Sequence, residues 1–532
     1  MQNNITSMPS DLTKTRFNYS AIFLAAPTIL PFLILGIMFF FINYKKLFLL
    51  FSYPNDQVEY ITIARYILDN HSLASQSPFL FNATLNTTAT HLYMPGYFAT
   101  LTLFYRLFHF SAFVSILPSM LAYIFSSILI YLIGWKLYGH KVGLLSSLLF
   151  SLYPANILMS YQVMTEMTLT FVCLITFLIF LNTPLKYKYF IFPLVLPFVF
   201  LFRQTTILIA LPMLAVLFNE RNKKDFNISK LILSLSASAI IIELLNFWQI
   251  NHGLYPINMR LLLNGGFNYG SAFQAMPESN LIHLLINHAL YNLHLIASYI
   301  PLNHEIYNFT YTSSILIYLP VLAVTFLYCV FCYKEDMYPF SSFLLVTIMA
   351  GLCILLYSTY QEIFYRMLMF TYPFLLISFS KAIYYFSSLS NYAKKNSKIF
   401  FISSLMGLFI LLTILSCINI VNSTKRIEKI EANNLTFMET LPINKNKLLA
   451  SPIWVSMAYV YKNYPSKWAF PPDDKKTLNL LIKKYDLGTL ILTTNDAKKI
   501  NLHNAVKKHE LILKKKESYN GENYLIYTVR KR

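Results

Sequence analysis

The residues best placed to do chemistry in this chain are a few ionisable side chains set against long apolar runs. Asp56 lies in Tyr53-Pro-Asn-Asp-Gln-Val-Glu-Tyr60, just ahead of Ile61–Leu68, where apolar residues recur at helical spacing. Its D-x-x-E spacing to Glu59 fits a helix N-cap with a capping box. A carboxylate at the mouth of a helix beside a membrane also suits a general base. Glu166, in Tyr161-Gln-Val-Met-Thr-Glu166, is the only acidic residue between Asp69 and Glu220. A first-turn Glu is favoured by the helix dipole, but an ionisable group costs about 2.5–3.5 kcal/mol at the bilayer centre, so function competes with structure as its reason for being there.

Two arginines offer the opposite charge. Arg203, in Phe202-Arg-Gln-Thr205, divides two apolar halves, and Arg366, in Tyr360-Gln-Glu-Ile-Phe-Tyr-Arg366, opens another apolar run. The planar guanidinium fork matches phosphate oxygens, which makes both candidate phosphate clamps. The structural alternatives are snorkelling for Arg203 and a Glu362–Arg366 pair one helical turn apart. His91 and Tyr93, in His91-Leu-Tyr-Met-Pro-Gly-Tyr97, flank a Pro-Gly turn, and Arg260 precedes Gly265-Gly266. These three are candidate ligand contacts, with solvated loop positions as the plain alternative. Glu243, in the outer half of an apolar run, is expected to be paired inside the bundle.

The elements that must position these residues follow from composition. Of 532 residues, 56% are hydrophobic and only 12% charged, and the mean hydropathy is +0.50, which excludes an ordinary soluble enzyme. Forty-three Lys and Arg against twenty-three Asp and Glu give a net charge of +20. Nearly half of these basic residues fall after about residue 422 and many of the rest in short loops, as the topology of a membrane protein requires, so the charge does not by itself indicate nucleic acid as a partner. A helix rises about 1.5 Å per residue against about 30 Å of hydrocarbon. Apolar runs near 20–42, 112–134, 142–155, 166–182, 188–202, 204–219, 231–248, 312–333, 339–357, 365–382 and 399–421 therefore give about eleven transmembrane helices.

With the N-terminus inside, Lys136 and Lys141, Lys186 and Lys188, the cluster from Arg221 to Lys230, and Lys394 to Lys398 become cytoplasmic; Lys45 and Lys46 are the exception. The opposite side receives loops near 43–111 and 248–311 and everything after about 422. The chain thus divides into a transmembrane unit, 1–421, and a small extracytoplasmic α/β domain, 422–532. In the latter, Leu448–Ala450, Thr489–Thr493, Leu511–Lys515 and Tyr524–Val529 read as strands, and Val455–Tyr461 and Lys476–Tyr485 as helices. The five cysteines sit in apolar runs; Cys329 and Cys332 form a C-x-x-C with no second pair or nearby His, so no metal site is expected. Phosphate-loop, dinucleotide-binding, zinc-protease and serine-hydrolase motifs do not occur.

Taken together, these features resemble the GT-C class of membrane glycosyltransferases, in particular the protein O-mannosyltransferase and aminoarabinose-transferase group. The resemblance rests on Asp56 after the first apolar run with Tyr60 and Ala64 following, Met94-Pro-Gly-Tyr97, Leu152-Tyr-Pro154, Thr165-Glu166, Phe202-Arg-Gln-Thr-Thr206, and Arg366 with Tyr372-Pro373. In the tail, Ala450-Ser-Pro-Ile-Trp454, Tyr459 and Leu490-Ile-Leu-Thr493 look like the extracytoplasmic domain of many such enzymes. Many relatives carry Asp-Glu or Asp-Asp where this chain has Asp56-Gln57.

The resemblance implies inverting transfer of a sugar from a polyprenyl-phosphate donor to a lipid, glycan or protein acceptor outside the cytoplasm. It casts Asp56 as catalytic base, Glu166 as a second catalytic group, and Arg366, Arg203, His91, Tyr93, Tyr60 and Arg260 as substrate-binding residues. No cofactor is implied, a divalent cation being the open alternative. The Lys-, Ile- and Asn-rich composition points to a bacterial inner membrane with the active side facing the periplasm, an endoplasmic-reticulum location being the alternative. The alternatives are a transporter or flippase of lipid-linked glycan and an inactive relative that binds prenyl phosphate.

Overall fold

The computed structural model describes residues 12–42, 56–70, 95–251, 308–332, 336–356, 366, 368–389, 395–444, 446–452, 486–500 and 511–529, with scattered positions between 456 and 502. His91, Tyr93, Arg260 and Glu362 lie outside the described residues, as does most of the two expected outer loops.

The helices are α1 (Leu12–Phe41), α2 (Asp56–Asn70), α3 (Pro95–Phe108), α4 (Ala112–Tyr138), α5 (His140–Ser151), α6 (Pro154–Ser160), α7 (Thr165–Asn182) and α8 (Leu185–Phe200). A 3-10 turn, Gln204–Ile209, then leads into α9 (Ala210–Asn219), followed by α10 (Ile228–Asn251), α11 (Asn308–Cys332), α12 (Met337–Leu356), α13 (Tyr372–Leu389) and α14 (Lys395–Glu439). Each of the eleven apolar runs read from the sequence overlaps one of them. Among the described residues five helices are long and apolar enough to cross a bilayer, in α4, α7, α10, α11 and α14. The run read as one span near 142–155 is instead two helices, α5 and α6, bent by 62°; together they pass as a sixth. Pro154 causes the break, because it sits at the first position of α6 and cannot continue the hydrogen-bond ladder of α5.

Large apolar side chains face outward along the bundle, including Phe40, Phe190, Leu233, Phe247 and Phe331, and small polar side chains face inward. This inversion is what a bilayer solvent selects, and the protein is an integral membrane protein. Between α4 and α5, Ser127 Oγ lies 2.8 Å from both Ser147 Oγ and Ser151 Oγ, and the Tyr123 hydroxyl donates to the Ser151 carbonyl at 2.5 Å. Gly134 and Gly143 let the two backbones touch: a Cβ on Gly134 would lie 2.8 Å from the Gly143 Cα.

The two ends of the bundle differ chemically. At one end the Lys188 Nζ and Lys223 Nζ bond Glu220 at 2.8 and 2.7 Å, Lys136 donates to Asn182, and Asp336 accepts from Tyr138 (2.6 Å) and Asn219 (3.2 Å). The carboxyl ends of α4, α7, α9 and α11 meet there. The amino ends of α7, α11 and α13 and the carboxyl end of α8 consequently lie at the other end.

The last helix is longer than its apolar part. α14 continues across residue 421 to Glu439, and Asn419 receives a bond from Thr310 near the start of α11 at 3.0 Å. About twenty residues, or about 30 Å of helix, project beyond that level. On this arm sits a five-stranded sheet, β1 (Leu448–Ala450), β2 (Trp468–Ala469), β3 (Leu487–Thr493), β4 (Leu511–Tyr519) and β5 (Glu522–Val529), in the order β2-β1-β3-β5-β4. β1 pairs parallel with β2 and β3, and β5 is antiparallel to β3 and β4. The Phe437 ring stacks on Tyr519 at 4.2 Å and 10°, and the Tyr519 hydroxyl donates to Asn434 at 3.0 Å, fixing the sheet to α14. α15 (Thr494–Lys499) follows β3, capped by the Thr493 side chain.

Candidate active site

At the end remote from the lysine cluster, three charged side chains from distant parts of the sequence converge. Glu166, in the first turn of α7, is fully buried. Its Oε1 accepts from Arg366 Nε at 2.9 Å and from Arg203 Nη1 at 3.4 Å. The two arginine side chains are 7% and 16% exposed, so the carboxylate is the innermost member. Arg366 is 200 residues from Glu166 in sequence. Arg203 occupies the extended residue (φ −166°, ψ 138°) between α8 and the 3-10 turn. Two positive charges against one negative leave the cluster with a net charge of +1, in a setting with little water to screen it.

The elements around this triad are held by specific contacts. Gly96 at the start of α3 donates its N–H to the Leu201 carbonyl at 2.8 Å, and a Cβ there would meet the Phe202 ring at 2.8 Å. Only glycine allows α3 to approach so closely beside Arg203, which is the physical content of the Pro95-Gly96 pair. Tyr97 is buried next to it and faces Ser119 and Glu166; burial pushes its phenol far above the usual range, so it stays protonated. Ser119 in turn donates to the Met164 carbonyl at 3.4 Å.

Asp56 is the first residue of α2, and its side chain lies outside the described atoms. Its neighbour Gln57 is 1% exposed and its Oε1 accepts the Val163 N–H at 2.7 Å. Val163 is three residues before Glu166. This single bond ties the start of α2 to the segment leading into α7, and so brings Asp56 to the same end of the bundle as the ion triad. At position 57 this chain has a neutral amide serving as a clip. A buried carboxylate at 57 would add a negative charge to a site that already holds Glu166.

Tyr60 is buried, with its ring edge-on to Tyr97 at 5.0 Å, and seats α2 on α3. Glu243 is exposed on α10, where pairing inside the bundle was expected. Sequence reasoning picked out Glu166, Arg203 and Arg366 singly and did not foresee that they meet. It gave no role to Gln57, Gln162 or Tyr97, although each stands in a segment it quoted. Among the described residues no group of three or more His, Cys, Asp or Glu side chains is arranged to hold a metal ion.

Residues 93–248, which contain α3 to α10 with Glu166 and Arg203, match the family described as dolichyl-phosphate-mannose-protein mannosyltransferase. The whole architecture is similar to ArnT from Cupriavidus metallidurans bound to undecaprenyl phosphate, with a TM-score of 0.51 at 9% identity over 96% of this chain and 98% of that one. The chain shares the fold of this ArnT structure, as the sequence resemblance to the GT-C class implies. The apo form of ArnT is similar over 88% of this chain and 93% of its own, at 10% identity and a TM-score of 0.49. The archaeal oligosaccharyltransferase AglB from Archaeoglobus fulgidus, in complex with an inhibitory peptide and a dolichol-phosphate, is similar over 88% of this chain and 70% of its own, at 10% identity and a TM-score of 0.44. No curated protein sequence matches the chain.

Proposed function

We propose that this protein transfers a sugar from a polyprenyl-phosphate donor to an acceptor hydroxyl outside the cytoplasm, with inversion at the anomeric carbon. The observation that carries the reading is the buried Glu166–Arg366–Arg203 triad, clipped through Val163 and Gln57 to the helix that begins with Asp56. In this reading Asp56 takes the proton of the acceptor hydroxyl as its oxygen bonds to the anomeric carbon. The bond from that carbon to the phosphate oxygen breaks, and the lipid phosphate leaves. The net positive triad favours the charge growing on the phosphate oxygens, with Arg366 and Arg203 supplying donors and Glu166 holding both guanidiniums in place. The match of residues 93–248 to a family of dolichyl-phosphate-mannose users, and the undecaprenyl phosphate bound by the ArnT relative, support a lipid-phosphate donor.

The lysine-rich end faces the cytoplasm in this proposal, because basic residues near span ends are retained inside. The triad and the sheet then face the periplasm of a bacterial inner membrane, with 1–421 as the transferase unit and 422–532 as the extracytoplasmic one. His91, Tyr93, Tyr60 and Arg260 are proposed to complete the walls of the substrate site. Detergent-purified protein given a polyprenyl-phosphate sugar and a mixed acceptor pool is expected to release free polyprenyl phosphate and add a sugar mass to one acceptor. Movement of labelled donor across a vesicle membrane with no release would contradict transfer and favour a flippase.

A further inference from the structure

Near Glu166 of the ion triad lies a set of buried polar atoms that the described residues leave unmatched. Gln162 is 4% exposed, and neither its Oε1 nor its Nε2 hydrogen-bonds to any described residue. The same holds for Thr165 Oγ1, for Glu166 Oε2 and for the Tyr97 hydroxyl, all in buried residues. These groups are close in the fold's framework: Gln162 lies in the bend just before α7, Thr165 and Glu166 are its first two residues, and Tyr97 faces Glu166 from α3. Buried polar groups are almost always satisfied, because each orphan forgoes its hydration, so a cluster of them calls for a partner from outside the chain. Its composition narrows the partner. An amide offers a donor and an acceptor side by side, a carboxylate oxygen accepts, and a phenol and a Thr hydroxyl do both. Adjacent hydroxyls on a sugar ring present the same alternation of donor and acceptor.

We infer that Gln162 and Tyr97, together with Thr165 and the second oxygen of Glu166, form the subsite that recognises the hydroxyls of the donor's sugar. The inference rests on the glycosyl-transfer reading and adds to it the residues that select the sugar. It divides the site into two parts: Glu166 Oε1 with the arginines on the phosphate side, and Glu166 Oε2 with Gln162, Thr165 and Tyr97 on the sugar side. A sugar site built from neutral hydrogen-bonding groups discriminates strongly against analogues that lack a hydroxyl, because the protein groups are then left unpaired.

The test compares lipid binding by full-length wild type, Gln162→Leu and Tyr97→Phe in detergent. The probes are bare polyprenyl phosphate and polyprenyl phosphate bearing a hexose, an N-acetylhexosamine or a pentose. The tightest-binding sugar lipid is expected to lose about tenfold in affinity in each variant, the loss of one or two hydrogen bonds, while bare polyprenyl phosphate binds as before. Without ligand, the Gln162→Leu protein is expected to melt at or above the wild-type temperature, since an apolar side chain of similar shape removes two unmatched groups. Equal losses for sugar lipid and bare lipid, or no loss for either, would overturn the inference, as would a Gln162→Leu protein that melts well below wild type. A wild type that binds no sugar lipid more tightly than bare polyprenyl phosphate would instead refute the glycosyl-transfer reading, and this inference with it.

Discussion

Removing Arg366 should damage this protein far more than an ordinary surface arginine would. Glu166 is fully buried, and the 2.9 Å bond from Arg366 Nε is the shorter of its two charged contacts. Without Arg366 the carboxylate keeps, among the described residues, only the charged contact with Arg203 at 3.4 Å. Breaking one side of a buried pair costs about 3–5 kcal/mol, because the remaining charge is stranded away from water. Arg203→Ala should cost less, about 1.5–3 kcal/mol, since the Arg366 bond survives. The double replacement Glu166→Leu with Arg366→Met removes the stranded charge and puts apolar volume in its place, which is often close to neutral; the remaining Arg203, 16% exposed, can turn its head toward water. Equilibrium unfolding in mixed micelles, monitored by circular dichroism, measures wild type, Arg203→Ala, the singles Glu166→Leu and Arg366→Met, and the double variant. The double variant should be more stable than the sum of its singles by at least about 2 kcal/mol. Additivity within about 0.5 kcal/mol would refute the claim that these side chains act as one unit.

Further outcomes follow from the same contacts. Gly143→Ala should destabilise the bundle by about 1–3 kcal/mol, because its Cβ would lie 2.8 Å from the Trp135 amide nitrogen and fall on the Tyr131 carbonyl; a melting temperature equal to wild type would show that α4 and α5 are not in contact there. Gln57→Ala should lower turnover while sparing donor affinity, since it frees α2 from Val163 without touching the arginines, and Gln57→Glu should restore the clip but shift the pH profile of turnover; a purely structural role would show itself as equal loss of binding and turnover. Burial raises the Glu220 carboxyl, but the hydrogen bonds from Lys188 and Lys223 outweigh it and hold the group below its ordinary 4.5. The stability it contributes is therefore present above pH 4.5 and lost as the pH falls through its lowered value, a loss that Glu220→Gln, already without the charge, should not show in acid-unfolding curves.

How much of this could be read in the sequence depended on range. Helices were legible because hydropathy and length report directly on the bilayer, and β1 was placed correctly because three apolar residues between polar turns have few other uses. Hydropathy misplaced the end of α14, which it set at 421. The segment Ser423-Thr-Lys-Arg-Ile-Glu-Lys-Ile-Glu431 is polar and still helical, since helix propensity does not require an apolar environment. β2 is two residues long and α15 follows a strand without a break, so neither left a periodicity to find. The ion triad was invisible for a different reason. Local spacing pointed only to Glu362, which lies outside the described residues, and gave no sign of Glu166, 200 residues away, which the arrangement of α7, α8 and α13 brings to Arg366. Gln57 was registered as a missing acid, and its use as a hydrogen-bond acceptor for Val163 needed coordinates to be seen.

The account depends most on Asp56 being the base that activates the acceptor at the triad end of the bundle. The direct measurement is single-turnover release of polyprenyl phosphate from a saturating sugar lipid by wild type and by Asp56→Asn, with donor binding measured on the same samples. Release slowed by about 10²–10⁴ at unchanged donor affinity is the predicted result. Release at the wild-type rate in the Asp56→Asn protein would contradict the mechanism.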